Sequence, residues 1–157
     1  MDATDIPWKP HVTVAAVVEN DGRFLLVEEE TEQGLRFNQP AGHLDPGESL
    51  CAAIRRETLE ETAYDFEPGA LVGIYRHSIE SSGITYLRFA FSGVLGRREQ
   101  GRALDTGIVR TVWLTMDELR ETIARHRTPL VLRCVEDYLA GMRYPLALLK
   151  DGTSVAQ

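Results

Sequence analysis

Residues Gly42 to Tyr64 read GHLDPGESLCAAIRRETLEETAY. Two glycines and a proline between Ala41 and Gly47 predict a loop. From about Ser49 to Thr62 the pattern predicts a helix, with Leu50, Ile54 and Thr58 at i, i+4 and i+8 as its buried stripe. Glu57, Glu60 and Glu61 then fall at i, i+3 and i+4 and share one helix face. Carboxylates that close together destabilise a helix and raise one another's pKa. A divalent cation removes that penalty, and hard oxygen donors of this kind suit Mg²⁺, with Mn²⁺ as a substitute. A bare acidic triplet is more often a solvated face pairing with neighbours such as Arg55 and Arg56. Its surroundings reverse that reading. Gly42 is followed after five residues by Glu48, Arg56-Glu57 comes seven residues later, and Glu60-Glu61 closes the run. Six fixed residues at fixed spacing would arise by chance about once per several million positions.

Outward from this segment, the chain reads as mixed strands around one central helix, with further helices late. His11 to Glu19 and Arg23 to Glu30 are apolar and β-branched. The intervening Asn20-Asp21-Gly22 predicts that they form a hairpin. Leu35 to Gln39 is a short strand that stops at Pro40. Leu71 to Ile79 and Tyr86 to Leu95 are strands joined at Ser81-Ser82-Gly83, and Val109 to Leu114 is another. Thr115-Met116-Asp117-Glu118 fits a capping box opening a helix to about His126. Thr128-Pro129 opens a third helix that ends near Gly141. The fold class expected is α+β, as an α/β/α layer arrangement.

The chain has 157 residues. That length, with no repeat, low-complexity stretch or linker, suits a single domain over residues 1–157, its core about 10–149. The net charge of −7 argues against a broad nucleic-acid surface. It suits a phosphate-binding protein only if metal sits between carboxylates and substrate. Met1 to Pro10 carries Asp2, Asp5 and Lys9 and no apolar run, unlike a signal peptide. Apolar stretches such as Val12 to Val18 are too short to span a bilayer. No membrane partner and a cytoplasmic location are therefore expected, as a monomer or small homo-oligomer. Cys51 and Cys134 read as free thiols inside helices.

The run Gly42, Glu48, Arg56, Glu57, Glu60, Glu61 resembles the Nudix box, Gx5Ex7REUxEExGU with U a bulky aliphatic residue. Gln39-Pro40-Ala41 precedes the Gly as a short strand and Pro do in that family. Thr58 stands at an aliphatic position, Ala63 at the Gly and Tyr64 at the last aliphatic, none of which supplies a metal-binding oxygen. His11-Val12-Thr13-Val14-Ala15, Asn38 to Leu44, Leu87-Arg88-Phe89, Pro129-Leu130-Val131 and Arg143-Tyr144-Pro145-Leu146 are similar to the NudJ-type phosphatase branch. The resemblance implies an α/β/α sandwich with a mixed sheet. It also implies Mg²⁺-dependent release of orthophosphate from small phosphorylated substrates: nucleoside di- and triphosphates, thiamine pyrophosphate and its pyrimidine precursor's pyrophosphate. Pyrophosphohydrolysis of ADP-ribose or a dinucleotide is the alternative, and a non-catalytic nucleotide-binding module is a further one; such a module is expected to lose the acidic cluster, which this chain keeps.

Glu57 and Glu61, one helical turn apart, can reach one cation, with Glu60 shared or water-mediated. The resemblance adds the Ala41 carbonyl as a further ligand. Glu57, Glu60 and Glu61 are thus the catalytic residues, and Glu57 is the leading choice of base. Glu48 and Arg56 are expected to pair and hold the loop on the helix. Gly42 allows close backbone approach to metal or phosphate. Arg88 in Tyr86-Leu87-Arg88-Phe89 is either a snorkelling edge residue or a phosphate contact. His43 is either a phosphate contact or structural. Asp105 is either a late metal ligand or a turn residue. Phe37, Tyr75 and Tyr86 suit either a core or the stacking of a heteroaromatic ring. Arg143-Tyr144-Pro145 is expected to pack the C-terminal helix back on the domain.

Overall fold

The computed structural model describes residues 6–152, so Asp2 and Asp5 lie outside the described residues. Two sheets form the centre. The first has the order β5-β1-β7-β6: Ala41–His43, His11–Val17, Ile84–Arg98 and Tyr64–Ile79. It is mixed, because β1 runs parallel to β7 while β1 with β5 and β6 with β7 are antiparallel. In the second sheet β3 (Arg23–Thr31) pairs antiparallel with β2 (Glu19–Asn20), β4 (Gly34–Asn38) and β8 (Ile108–Thr115).

Strand alternation divides the side chains between two cores. Val14, Ala16, Leu25 and Phe91 pack with Ala53 and Ile54 of α1 (Leu50–Thr62). Val17, Phe24, Leu26 and Ala90 pack on the opposite face. There they meet Leu119 of α2 (Met116–Glu121) and Val131, Cys134 and Val135 of α3 (Leu130–Leu139). Helices therefore cover both faces, giving the expected α+β class with mixed sheets flanked by helices.

Several local expectations are corrected. His11 to Glu19 does not pair with Arg23 to Glu30 as one hairpin. Only β2 folds back on β3, and β1 belongs to the other sheet. Both β1 and β3 are buried on both faces, so each is a continuous apolar run that says nothing of its partner. Ala41 to His43 is not loop but a strand that pairs with Thr13 to Ala15. The sixth strand starts at Tyr64, bending through register shifts around Pro68. The second helix stops at Glu121. The Thr122 hydroxyl donates to the Glu118 and Leu119 carbonyls, and a 3₁₀ turn follows at Ile123–Arg125. The capping box on Thr115 forms as read. Cys51 and Cys134 are free, one half-buried and the other buried. Tyr144 exchanges backbone hydrogen bonds with Leu71 at 2.8 and 2.9 Å, and Arg143 lies 3.7 Å over the Tyr138 ring. The C-terminal segment is thereby fixed to the domain. Among the described residues, no helix is long and apolar enough to cross a membrane.

Candidate active site

Helix α1 opens at Ser49, whose hydroxyl accepts from the Ala52 N–H at 3.0 Å. Its buried face holds Ala53, Ile54 and Thr58, with Leu50 only half-buried. The same face carries Glu57 and Glu61, which are 9% and 5% exposed. Acidic groups are almost never so buried unless something compensates them. Burial pushes the Glu57 carboxyl up, against the pull of Arg56, and pushes Glu61 up to about 9, against its hydrogen bond from Ala41. The Glu61 Oε1 accepts from the Ala41 N–H at 2.7 Å, so helix and strand β5 are joined there.

Arg56 organises the rest. It donates to both oxygens of Glu48, at 3.0 and 2.6 Å, and to Glu57 at 2.8 Å, Glu60 at 3.2 Å and the His43 carbonyl at 2.9 Å. The Glu48–Arg56 pair expected from the spacing is therefore bidentate, and it holds Glu48 below the usual carboxylate range. Glu48 in turn accepts from the Asp45 N–H at 2.8 Å, fixing the loop. Gly42 makes room for Glu57. A Cβ on Gly42 would lie 2.1 Å from the Glu57 carboxyl carbon.

Oxygens of Glu57, Glu60 and Asp105 come within 4.8 Å of one another. Asp105, left open between turn and ligand by the sequence, is brought there by its backbone N–H, which donates to the Glu60 carbonyl at 3.0 Å. Three hard oxygen donors, one of them the buried Glu57, with the buried Glu61 beside them, suit a divalent cation, which offsets the burial that otherwise favours protonated acids. Glu61 is turned toward Ala41 and is not part of this closest group.

A pocket of about 270 Å³ borders the cluster through Ala41 and Gly42. Arg88 forms part of it and is only 6% exposed. Its guanidinium donates to the Gln39 Oε1 at 3.0 Å and the Asn38 Oδ1 at 2.9 Å. Gln39 is itself held by donating to the Val131 carbonyl at 2.7 Å. Both acceptors are neutral. Among the described residues, no carboxylate lies within ion-pair distance of Arg88, whereas Glu28 is bracketed by Arg110 and Arg125. His43 also lines the pocket, and burial together with the adjacent His11 pushes its pKa down. Arg127 sits at the rim, paired with Glu29 at 3.2 Å. Arg127 and Glu29 carried no signal in sequence, because their proximity depends on β3 and the segment after α2 meeting.

A family model described as the NUDIX domain matches residues 9–134. Phosphatase NudJ of Escherichia coli (strain K12) is 36% identical over 144 residues, covering 92% of this chain and 93% of that protein. Phosphatase NudJ of Shigella flexneri gives the same figures. A NUDIX hydrolase structure from Nitrosomonas europaea superposes with a TM-score of 0.89 at 54% identity, over 92% of this chain and 98% of that one. A MutT NUDIX hydrolase from Burkholderia pseudomallei shares the fold, with a TM-score of 0.71 at 20% identity over 83% and 98% of the two chains. With its glutamates, its Arg56 hub and its glycine in the places just described, the chain belongs to the Nudix hydrolase family.

Proposed function

We propose that this hydrolase releases orthophosphate from small diphosphates and triphosphates with Mg²⁺ as its cation, Mn²⁺ being a substitute. The substrates meant are nucleoside di- and triphosphates, thiamine pyrophosphate and hydroxymethylpyrimidine pyrophosphate. One observation carries the reading: a buried Arg88 guanidinium with only neutral partners faces a pocket that adjoins the acidic cluster. A buried cation without an anion is costly, and a phosphate supplies the missing charge. The similarity to the proteins called Phosphatase NudJ supports the same choice.

The Glu57, Glu60 and Asp105 carboxylates, with Glu61 and the Ala41 carbonyl, would hold the cation. When bound, it neutralises phosphate charge and acidifies water. The chain's own residues do the rest. Arg88 and His43 bind phosphate oxygens, and Gly42 keeps Glu57 within reach. Glu57 takes the proton from the attacking water. The water oxygen bonds to the terminal phosphorus, the bridging P–O bond breaks with its electron pair left on the bridging oxygen, and the products are orthophosphate and the shortened phosphate that keeps that oxygen. Orthophosphate is measured from ADP, GTP and thiamine pyrophosphate, against AMP from ADP-ribose. Orthophosphate from the first three is expected. If ADP-ribose alone is consumed and orthophosphate never appears, the enzyme is instead a pyrophosphohydrolase.

A further inference from the structure

Two neutral side chains hold the buried Arg88 of β7. Asn38 ends β4 and Gln39 follows it, and both present an amide oxygen to the guanidinium, at 2.9 and 3.0 Å. Each amide uses its nitrogen elsewhere. The Gln39 Nε2 donates at 2.7 Å to the carbonyl of Val131 in the first turn of α3, and the Asn38 Nδ2 donates to Glu29 at 3.5 Å. The orientation of Gln39 is forced. A guanidinium only donates and a carbonyl only accepts, so the amide oxygen must face Arg88 and the nitrogen must face Val131. Gln39 is 1% exposed, so neither end of the amide can turn to water instead. The carboxylates nearby are engaged by other groups. Glu29 pairs with Arg127 at 3.2 Å, and Asp137 accepts from the Tyr75 hydroxyl at 2.7 Å and pairs with Arg133 at 3.1 Å. Burial pushes the Cys134 thiol up, against the pull of Arg88, so that neighbour is neutral too.

An amide at position 39 satisfies both of its neighbours and leaves Arg88 its charge. An apolar side chain there would strand a buried guanidinium donor. A glutamate would neutralise Arg88 from within and set a carboxylate against the Val131 carbonyl. Resting on the reading that Arg88 binds a substrate phosphate, we infer that Gln39 is a positioning residue: it ties the Arg88 guanidinium to α3, aims it at the pocket and leaves its positive charge for the phosphate. The same short piece of backbone reaches the acidic site. Two residues on, the Ala41 N–H donates to Glu61 at 2.7 Å. Arg88 and the helix acids are thereby held to one segment, which fixes the span between phosphate and cation.

Gln39→Glu keeps the shape and adds one charge. Binding of inorganic phosphate to protein in EDTA, measured by calorimetry, is expected to weaken at least about tenfold, because the new carboxylate takes the charge the anion would use. KM for ADP is expected to rise by a similar factor with kcat kept, since Arg88 holds a phosphate in substrate and transition state alike. Gln39→Leu removes the same hydrogen bonds and adds no charge, so it should bind phosphate more weakly than wild type but better than Gln39→Glu. If Gln39→Glu binds phosphate as wild type does, or if Gln39→Leu is the weaker of the two, Gln39 acts through packing and the inference is overturned. It is overturned as well if wild-type protein takes up no phosphate in EDTA. If no compound yields orthophosphate, or ADP-ribose alone is consumed, the hydrolysis reading fails, while the phosphate titration still decides the role of Gln39. Should Gln39→Glu not fold, Asn38→Asp sets a carboxylate on Arg88 at a half-buried position. The same loss of phosphate affinity is expected there, and unchanged affinity is the overturning result.

Discussion

Gly42 and Ala63 show how single backbone positions hold the site. At Gly42 a methyl group would occupy the space of the Glu57 carboxyl, so Gly42→Ala must displace either the strand or the acid. Turnover is expected to fall at least about 100-fold while the circular dichroism spectrum is kept, since misplacing a reacting group by 1 Å has that effect. Near wild-type turnover would mean that Glu57 is not needed where it stands. Ala63 ends α1 with φ 63 and ψ 12, the left-handed conformation glycine usually takes. An L-residue there costs about 1–2 kcal/mol. The Ala63 methyl is buried, however, and its loss costs about 0.8 kcal/mol. Ala63→Gly is therefore expected to stabilise by only about 0.5 kcal/mol, read from urea midpoints. A loss of about 1 kcal/mol or more would show that methyl packing outweighs the strain. Glu61→Gln keeps size and removes charge. The hypothesis that Glu61 serves the cation predicts weaker Mg²⁺ activation and turnover lower by orders of magnitude; wild-type Mg²⁺ dependence in that variant removes Glu61 from the cation's ligands.

Between elements, Glu28 is the clearest electrostatic joint. It is 5% exposed, yet it pairs with Arg110 of β8 at 3.1 Å and with Arg125 of the 3₁₀ turn after α2. The Arg125 hydrogen bond, followed by Arg110, holds the carboxyl below its usual range despite burial. A depressed acid stabilises the fold above its unfolded pKa, near 4.5, and that contribution is lost as pH falls through the folded value. Glu28→Gln should thus cost about 1–2 kcal/mol at pH 7, less than a fully buried pair because both guanidinium groups stay partly solvated. The gap in urea midpoint between variant and wild type should narrow steadily below about pH 4.5; a gap independent of pH would assign the loss to packing instead. This joint was invisible in sequence, as Glu28, Arg110 and Arg125 lie far apart along the chain. Helix α1 was legible, because Ser49 caps it and Ile54 and Thr58 repeat at helical spacing. Strand β5 was not: Gly42 and the preceding Pro40 look like loop, and only pairing with Thr13 to Ala15 extends them. The β1–β3 hairpin was misjudged because local turn chemistry at Asp21-Gly22 fixes the β2–β3 reversal and leaves the partner of β1 undecided.

At the scale of the whole molecule, the acidic site ties together parts that are remote in sequence. Glu57 and Glu60 come from α1, Asp105 from the segment entering β8 of the second sheet, and Ala41 from β5 of the first. The motif announced the helix acids, but not Asp105 or the Arg88 pocket, which exist only once both sheets are packed. The chain also carries a net charge of −7, so bringing these acids together adds repulsion that the fold must overcome. A cation that binds the folded site and not the unfolded chain must therefore stabilise the whole domain. At a concentration 100 times its dissociation constant the gain is about 2.7 kcal/mol. For a domain of this size each kcal/mol moves the melting temperature by about 2–4 °C. Saturating Mg²⁺ is thus expected to raise Tm by about 5–10 °C over protein in EDTA, measured by differential scanning calorimetry without substrate. The Glu57→Gln and Asp105→Asn variants should each lose most of that rise, while in EDTA they melt no lower than wild type, because one repelling charge is gone. An equal Mg²⁺ response in Asp105→Asn would confine the site to the helix, and no response in wild type would remove the cation from this cluster altogether.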